Sequence, residues 1–300
     1  MQANGTGILK QNIRYIWKYW LKCIGIFTGV LSVLFLFVSW DDIGVKNVFL
    51  KVACLVMVCL LLLIWSILWI CKFKKQKVIW QNASGRIIVR YGDILQEGFG
   101  TKNKSNKLYV IPVNSAFDTI VDSDISKYTN PLVSPNSLHG KWIKKMVENG
   151  KEIEEIDHTI QSDLNQQNKP AKQVYSPEEK TRGKKEIYEL GTIAVVKGQA
   201  NSTFLLLALT DFDGNNTAHD VSIDDYELVI KALLDFYEHR GQGYELVIPL
   251  MGTNFANTGL NHEDALRTIT SIFRLHRNKI RGDINIVIYN GDKDKVSIDI

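Results

Sequence analysis

The stretch LVIPLMGTNFANTGLNHEDAL, residues 246–266, decides the fold of the larger part of this chain. It begins with an apolar run typical of a buried strand, continues through a loop rich in glycine, threonine and asparagine, and ends in a helix capped by Asn261. An amphipathic helix over residues 222–240 precedes it, and the apolar strand INIVIY, residues 284–289, follows it. This alternation predicts a layered α/β sheet with helices on its faces.

Other segments of the same α/β domain are predicted upstream. Residues 137–147 have the apolar spacing of a helix that Asn149 and Gly150 terminate. Residues 151–186 are polar and charged and contain two prolines, so we expect an irregular surface excursion there. Four further strands are predicted from their apolar and β-favouring residues: RIIVRY (86–91), KLYVIPVN (107–114), GTIAVV (191–196) and TFLLLALT (203–210).

Two uncharged apolar stretches, residues 23–40 and 52–71, occupy the N-terminal part of the chain. Each approaches the roughly 20 residues that a helix needs to cross about 30 Å of hydrocarbon. A secretory signal peptide would be one apolar stretch with a cleavage site, and a buried core helix would carry a polar face. We therefore predict a two-helix transmembrane hairpin within residues 1–78.

Positive charge flanks the hairpin on one side and predicts its orientation. Such flanks prefer the cytoplasm, so both termini and the domain of residues 79–300 are expected there, with the loop 41–51 outside. The basic residues before the first span and after the second are Lys10, Arg14, Lys18, Lys22, Lys72, Lys74, Lys75 and Lys77.

Composition excludes several classes of chemistry. All four cysteines lie in the first 78 residues, so residues 79–300 have no disulfide framework, thiolate zinc site or cysteine nucleophile. The histidines lack metal-ligand spacing, and residues 211–220 lack the terminal glutamate of a calcium loop. The net charge of +4 is modest and its basic clusters flank the membrane segments, which argues against nucleic acid as a partner.

Three loops leave predicted strands at the edge where ligands of open α/β sheets bind. Asp93 and Ile94 follow the first strand, and the Asp93 carboxylate can accept a hydrogen bond from an exocyclic amine. Asn114 ends the second strand and offers a donor and an acceptor to a sugar. The loop after residue 250 can direct backbone N–H groups at phosphate. Each pattern also occurs in ordinary turns, and their order and spacing make the case for a nucleotide site.

The motifs VRYGDIL, VIPVNSAF, SPNSLHGKWIKKM and the opening stretch together resemble the macro domain, an ADP-ribose-binding fold, over about residues 80–300. The resemblance implies a three-layer α/β/α domain with a mixed sheet. It also implies that Asp93 holds the adenine amine beside Ile94, and that Asn114 lies near the distal ribose. The other binding residues it implies are Ser115, Ala116, Ser137, Leu138, His139, Gly140, Gly252, Thr253, Asn254, Phe255 and Ala256.

Two departures from the macro pattern bear on activity. The glycine-rich run that usually precedes the helix near Leu138 reads NPLVSPNSLHG here. Phe117 replaces the second asparagine of the usual N-A-A-N element, which weakens the case for ADP-ribosyl-hydrolase activity and indicates a distal pocket adapted to a different substituent. We therefore expect a ligand sensor without a cofactor or a metal.

A membrane hairpin joined to such a domain resembles the membrane–macro effector of the Thoeris antiphage defence system. The resemblance implies a multi-pass protein of the bacterial inner membrane that senses an ADP-ribose-derived signal made from NAD by a TIR-domain enzyme. It also implies a homo-oligomer that perturbs the lipid bilayer. Two alternatives stay open at this point: a membrane-tethered ADP-ribosyl hydrolase and a passive reader of ADP-ribosylated partners.

Overall fold

A computed structural model describes residues 4–40, 42–100, 105–124, 127, 131–253 and 258–299. The chain divides into two compact units. One comprises Met1–Lys77 together with Gly291–Ile300, and the other comprises Val78–Asn290.

The first unit contains the helical hairpin. Helix α1 covers Gly5–Leu34, and helix α2 covers Val48–Leu68 and continues into a π-helical turn at Trp69–Phe73. Both helices are long and apolar enough to cross a membrane, and only 6% and 11% of their most apolar stretches are buried inside the chain. A soluble core helix would be mostly buried, so these exposed apolar surfaces favour a lipid environment.

Aromatic side chains gather towards one end of this hairpin. The rings of Tyr19 and Trp69 stack with centroids 6.2 Å apart, and Trp65 stacks on Trp69 at 6.1 Å. The indole Nε1 of Trp20 donates a hydrogen bond of 3.0 Å to the carbonyl of Cys59 on the opposite helix. Tryptophan and tyrosine are enriched where membrane meets water, so this cluster is suited to one interface.

The second unit is built on a mixed sheet in the order β1-β2-β9-β8-β3-β7-β6. Neighbouring strands from β2 to β7 in that order run parallel, and β6 pairs antiparallel with β7. A separate two-stranded ribbon pairs β4 with β5. The strands are β1 Gln76–Gln81, β2 Arg86–Gly92, β3 Lys107–Asn114, β4 Gln173–Val174, β5 Glu186–Ile187, β6 Ile193–Lys197, β7 Ser202–Thr210, β8 Glu245–Pro249 and β9 Ile284–Tyr289.

Helices cover both faces of this sheet. Alternate side chains of β3 and β7, such as Tyr109 and Phe204, pack with Trp142 of α4 and Ile156 of α5 in one core cluster. Helices α6 and α7 contact each other, and α6 contacts β7. The predicted α/β/α domain with a mixed sheet is therefore confirmed. The helices of this unit are α3 Ile94–Gly98, α4 Leu138–Glu148, α5 Ile153–Gln166, α6 Ile223–Arg240 and α7 His262–Leu275.

The polar excursion at residues 151–186 is more ordered than its composition indicates. Its first half is helix α5, and the ribbon of β4 and β5 closes its second half. Ile156, Ile160 and Leu164 recur every fourth residue and are fully buried, so a narrow apolar stripe suffices to fix the helix. Asp163 accepts a hydrogen bond of 2.8 Å from the Val195 backbone, which ties α5 to the edge strand β6. The expectation of an irregular segment was wrong for this half.

Candidate functional site

The parallel part of the sheet brings three predicted site segments to one edge. Strands β2, β8 and β3 point the same way, so the residues that follow their carboxyl ends share that edge. Strand β9 lies between β2 and β8, and β8 lies beside β3. Asp93, Gly252 and Asn114 therefore stand at successive places along one side of the domain.

Asp93 begins helix α3 as its N-cap. Its Oδ1 accepts hydrogen bonds from the backbone N–H groups of Leu95 at 3.0 Å and Gln96 at 3.1 Å. Behind it, the Arg90 guanidinium makes two bonds of 2.6 Å to the Glu97 carboxylate, joining the end of β2 to α3. Cap and ion pair together hold the carboxylate in place beside Ile94, which is buried.

Asn114 is buried at the end of β3 and uses its side chain inside the protein. Its Nδ2 donates to Oδ2 of Asp118 at 3.1 Å and to the Leu132 carbonyl at 3.2 Å. Its Oδ1 accepts from the Asp118 backbone N–H at 3.0 Å. Phe117, within the turn so formed, has a φ of +52°, a conformation uncommon outside glycine and asparagine. In this structure the amide of Asn114 thus shapes the turn.

The neighbouring residues of the turn are also engaged. Ser115 is fully buried, and its hydroxyl donates a bond of 2.6 Å to Asp211 at the end of β7. Its carbonyl accepts from the Tyr188 backbone at 2.9 Å, while Ala116 is buried. This segment is therefore held rigidly by contacts to β7 and to the end of the excursion.

Charged residues of the excursion anchor the turn from outside. The fully buried Lys180 places its Nζ 3.7 Å from Asp118, and the Lys184 backbone donates to the same carboxylate at 2.7 Å. Arg182 bonds the buried Asp122 at 2.5 Å. Burial raises the pKa of Asp118, against the charge of Lys180, and burial lowers the pKa of Lys180. Sequence reasoning missed these anchors, because nothing in a polar loop marks which lysine becomes buried.

The segment before α4 is fixed by a cap and a close backbone approach. Ser137 accepts from the Gly140 N–H at 3.0 Å and donates to the Ser134 carbonyl at 2.7 Å. A Cβ on Gly140 would lie 2.2 Å from that same carbonyl oxygen, so only glycine fits. Leu138 between them is half-buried.

His139, predicted for the same segment, is buried and neutral. Within the described part of the chain its Nε2 has no hydrogen-bond partner, and its ring centroid lies 6.4 Å from that of Trp142. Burial, helped by the charge of Lys184, lowers the pKa of His139 to about 3. Among the described residues, no group of three or more His, Cys, Asp or Glu side chains is placed to hold a metal ion.

The segment after β8 contains Gly252, where the side chain of Tyr226 in α6 leaves no room for a larger residue. Gly252 has a φ of +89°, and a Cβ there would lie 2.6 Å from the Tyr226 ring. The Tyr226 hydroxyl donates a bond of 2.7 Å to the Met251 carbonyl. The Thr258 hydroxyl donates a bond of 2.5 Å to the Gly252 carbonyl, so these two residues lie in contact. Thr253 is half-buried, and the predicted binding residues Asn254, Phe255 and Ala256 lie outside the described residues.

Comparison with known proteins finds one matching family model and several solved structures of low sequence identity. Residues 87–289 match the family model described as Thoeris protein ThsA, Macro domain. Solved structures of the Oceanobacillus iheyensis macrodomain match this chain over most of the length of the macrodomain. An asparagine-to-alanine mutant is 10% identical, with coverage of 75% of this chain and 92% of that one at a TM-score of 0.44. The structure described as the macrodomain with ADP is 12% identical, covers 74% of this chain and 93% of its own, and has a TM-score of 0.40. No curated protein sequence is significantly similar to the chain.

Proposed function

Because the chain belongs to the family of the Thoeris ThsA macro domain, we propose that it is a membrane effector that senses an ADP-ribose-derived nucleotide. A TIR-domain enzyme would make this signal from NAD, in keeping with the Thoeris assignment. Binding would then favour self-assembly of the membrane hairpins and perturb the bilayer of the bacterial inner membrane. Both termini would lie on the cytoplasmic side, where the signal is made.

One observation carries this proposal: the segments that follow β2, β8 and β3 lie at the same edge of the sheet. The capped carboxylate of Asp93 would accept the adenine amine, with Ile94 packed beside it. The loop from Gly252 onward would present backbone N–H groups to the diphosphate. The segment from Ser137 to Gly140 would form the opposing wall, and the turn at Asn114 would approach the distal ribose.

The turn after β3 also favours sensing over hydrolysis. In this chain Asn114 is bonded within the turn, and Phe117 stands where the macro pattern has its second asparagine. Phe117 is 1% exposed and packs its ring edge against Tyr188, 5.7 Å between centroids. An apolar, buried side chain cannot orient a water molecule for attack, so we expect bound ligand to be released intact.

The membrane part of the proposal is supported by the exposed apolar helices and the aromatic cluster. Two helices whose apolar stretches are almost wholly exposed need lipid or other helices around them. Assembly would gain energy by packing such helices against copies of themselves.

The test uses the full chain in lipid nanodiscs. We would titrate ADP-ribose, and separately the product mixture of a TIR-domain enzyme acting on NAD, by calorimetry. Ligand would then be recovered and separated by chromatography. Saturable heat with intact ligand supports a sensor, whereas conversion of the ligand would identify a hydrolase. No heat with either probe would overturn the nucleotide proposal.

A further inference from the structure

The residues from Gly291 onward, which follow β9, belong to the first unit, the one that contains the helical hairpin, and several of them are buried. We call Gly291–Asp299 the C-terminal strap. Val296, Ser297 and Ile298 within it are at most 2% exposed, and Asp299 is 6% exposed. The burial of four successive residues therefore indicates a docked element.

The strap docks on the first turns of α1. The Ser297 hydroxyl donates a bond of 2.6 Å to Oδ1 of Asn12, and both side chains are buried. The Asp294 carboxylate accepts from the Asn4 backbone N–H at 3.2 Å. A Cβ on Gly7 would lie 2.7 Å from the Cβ of Asp294, so the strap approaches the helix backbone directly.

The same strap reaches the end of the second helix. Asp299 lies 2.5 Å from the Nζ of Lys74 and 3.8 Å from that of Lys77, both just past the π-helical turn. Its backbone N–H donates to the Ser297 hydroxyl at 3.0 Å, which makes one polar chain from α1 to the end of α2. The strap therefore connects the N-terminal part of α1 to the C-terminal end of α2 through non-covalent contacts.

Two carboxylates of the strap each have one oxygen atom that makes no hydrogen bond to the described residues. In the described part of the chain, Oδ2 of Asp299 and Oδ1 of Asp294 are buried without a hydrogen-bond partner. A buried carboxylate oxygen without a partner forfeits the hydration that it would recover on release. The polar bonds of these two carboxylates are thus made against a desolvation cost, which lowers the free energy needed to release the strap.

Chain connectivity relates the strap to the proposed ligand site. It follows β9, and β9 lies in the sheet between β2 and β8. Asp93 and Gly252, the residues proposed for the adenine and the diphosphate of the nucleotide, follow the carboxyl ends of those two strands. A ligand that bridges the two segments would act on the strand from which the strap emerges.

We propose that the C-terminal strap is an autoinhibitory latch on the hairpin. While docked, it covers the face of α1 that bears Asn12 and holds the end of α2. Its release frees that face for a second copy of the chain, and ligand binding favours the released state. The inference rests on the proposed function for its trigger, but not for the latch itself.

A reversible covalent lock tests the latch. The native cysteines are replaced by serine, and Asn12→Cys is combined with Ser297→Cys in the full chain reconstituted in dye-loaded vesicles of phosphatidylethanolamine and phosphatidylglycerol. With the TIR product mixture as probe, the oxidised lock is expected to bind ligand yet release no dye and form no cross-linked oligomer. Reduction restores both. Dye release from the oxidised lock at the unlocked rate would overturn the latch.

A second arm needs no nucleotide. Ser297→Ala removes the bond to Asn12, and Asp299→Asn removes the negative charge that faces Lys74 and Lys77, so basal dye release and cross-linking should rise about tenfold for each. Lys295→Ala changes an exposed residue whose ion pair, with Asp292, lies within the strap, so this matched control should leave both unchanged. Basal values equal to those of the unmodified chain in both variants would overturn the latch. Loss of ligand binding alone would instead count against the proposed function.

Discussion

Replacing Asp93 by asparagine separates the binding role of this carboxylate from its structural role. Asparagine caps helices as well as aspartate does, so its Oδ1 can keep the bonds from Leu95 and Gln96. The second oxygen becomes an NH₂ group, and this donor would face the donor amine of adenine. The variant should therefore fold normally and bind the nucleotide more weakly.

The size of the loss follows from the bond removed. A hydrogen bond to a charged group contributes about 1.5–3 kcal/mol, which corresponds to between about tenfold and about a hundredfold in Kd. Asp93→Ala removes the cap as well and should cost about 1 kcal/mol of stability. Calorimetry and urea unfolding of the full chain in detergent measure the two effects. If Asp93→Asn binds as tightly as the unmodified chain, Asp93 does not hold the base. If it is as unstable as Asp93→Ala, the cap does not survive the exchange.

Three further changes test the parts that hold the site. Tyr226→Phe leaves the buried Met251 carbonyl without its donor and should lower the free energy of unfolding by about 1–3 kcal/mol, measured by urea titration, and weaken ligand binding. Gly140→Ala should cost about 1–3 kcal/mol because its Cβ meets a backbone carbonyl, whereas Gly25→Ala, with nothing within 4 Å, should cost nothing in the same assay. Because burial lowers the pKa of His139 to about 3, its contribution to the free energy of unfolding should be constant above about pH 6.5 and fall by about 1.4 kcal/mol per pH unit from there down to about pH 3. His139→Gln should remove that part of the slope in urea titrations across pH.

The sheet and its order of strands and helices were predictable because the burial that forms them leaves long apolar runs. KLYVIPVN became β3 with the predicted bounds, since a strand buried on both faces has no polar alternation to obscure it. The opening stretch likewise contains β8 and α7 where a strand and a capped helix were predicted. Local caps such as Asn261 were also readable, because a cap acts on the N–H groups of its own helix.

The supports of the candidate site were not predictable, because they depend on pairs distant in sequence. Lys180 and Asp118 meet across 62 positions, and Ser297 meets Asn12 across 285. Neither pair belongs to a periodic pattern, and lysine is almost never fully buried without a partner. Composition assigns such residues to solvent, which is why the excursion was expected to be irregular and the C-terminal strap was not foreseen.

These buried polar contacts bear on how a small ligand could drive a membrane rearrangement. Moving a two-state equilibrium from 1:99 to 99:1 requires about 5.5 kcal/mol of differential binding. A site whose walls are already fixed, by the Asp93 cap and the Asp118 anchors, spends little binding energy on ordering itself. The polar bonds of Ser297 and Asp299 contribute only about a few kcal/mol to the docking of the strap, beside the burial of Val296 and Ile298. Under the latch proposal, stiffening the strap should abolish the response and weaken nucleotide binding by no more than the free energy that release of the strap draws from the ligand.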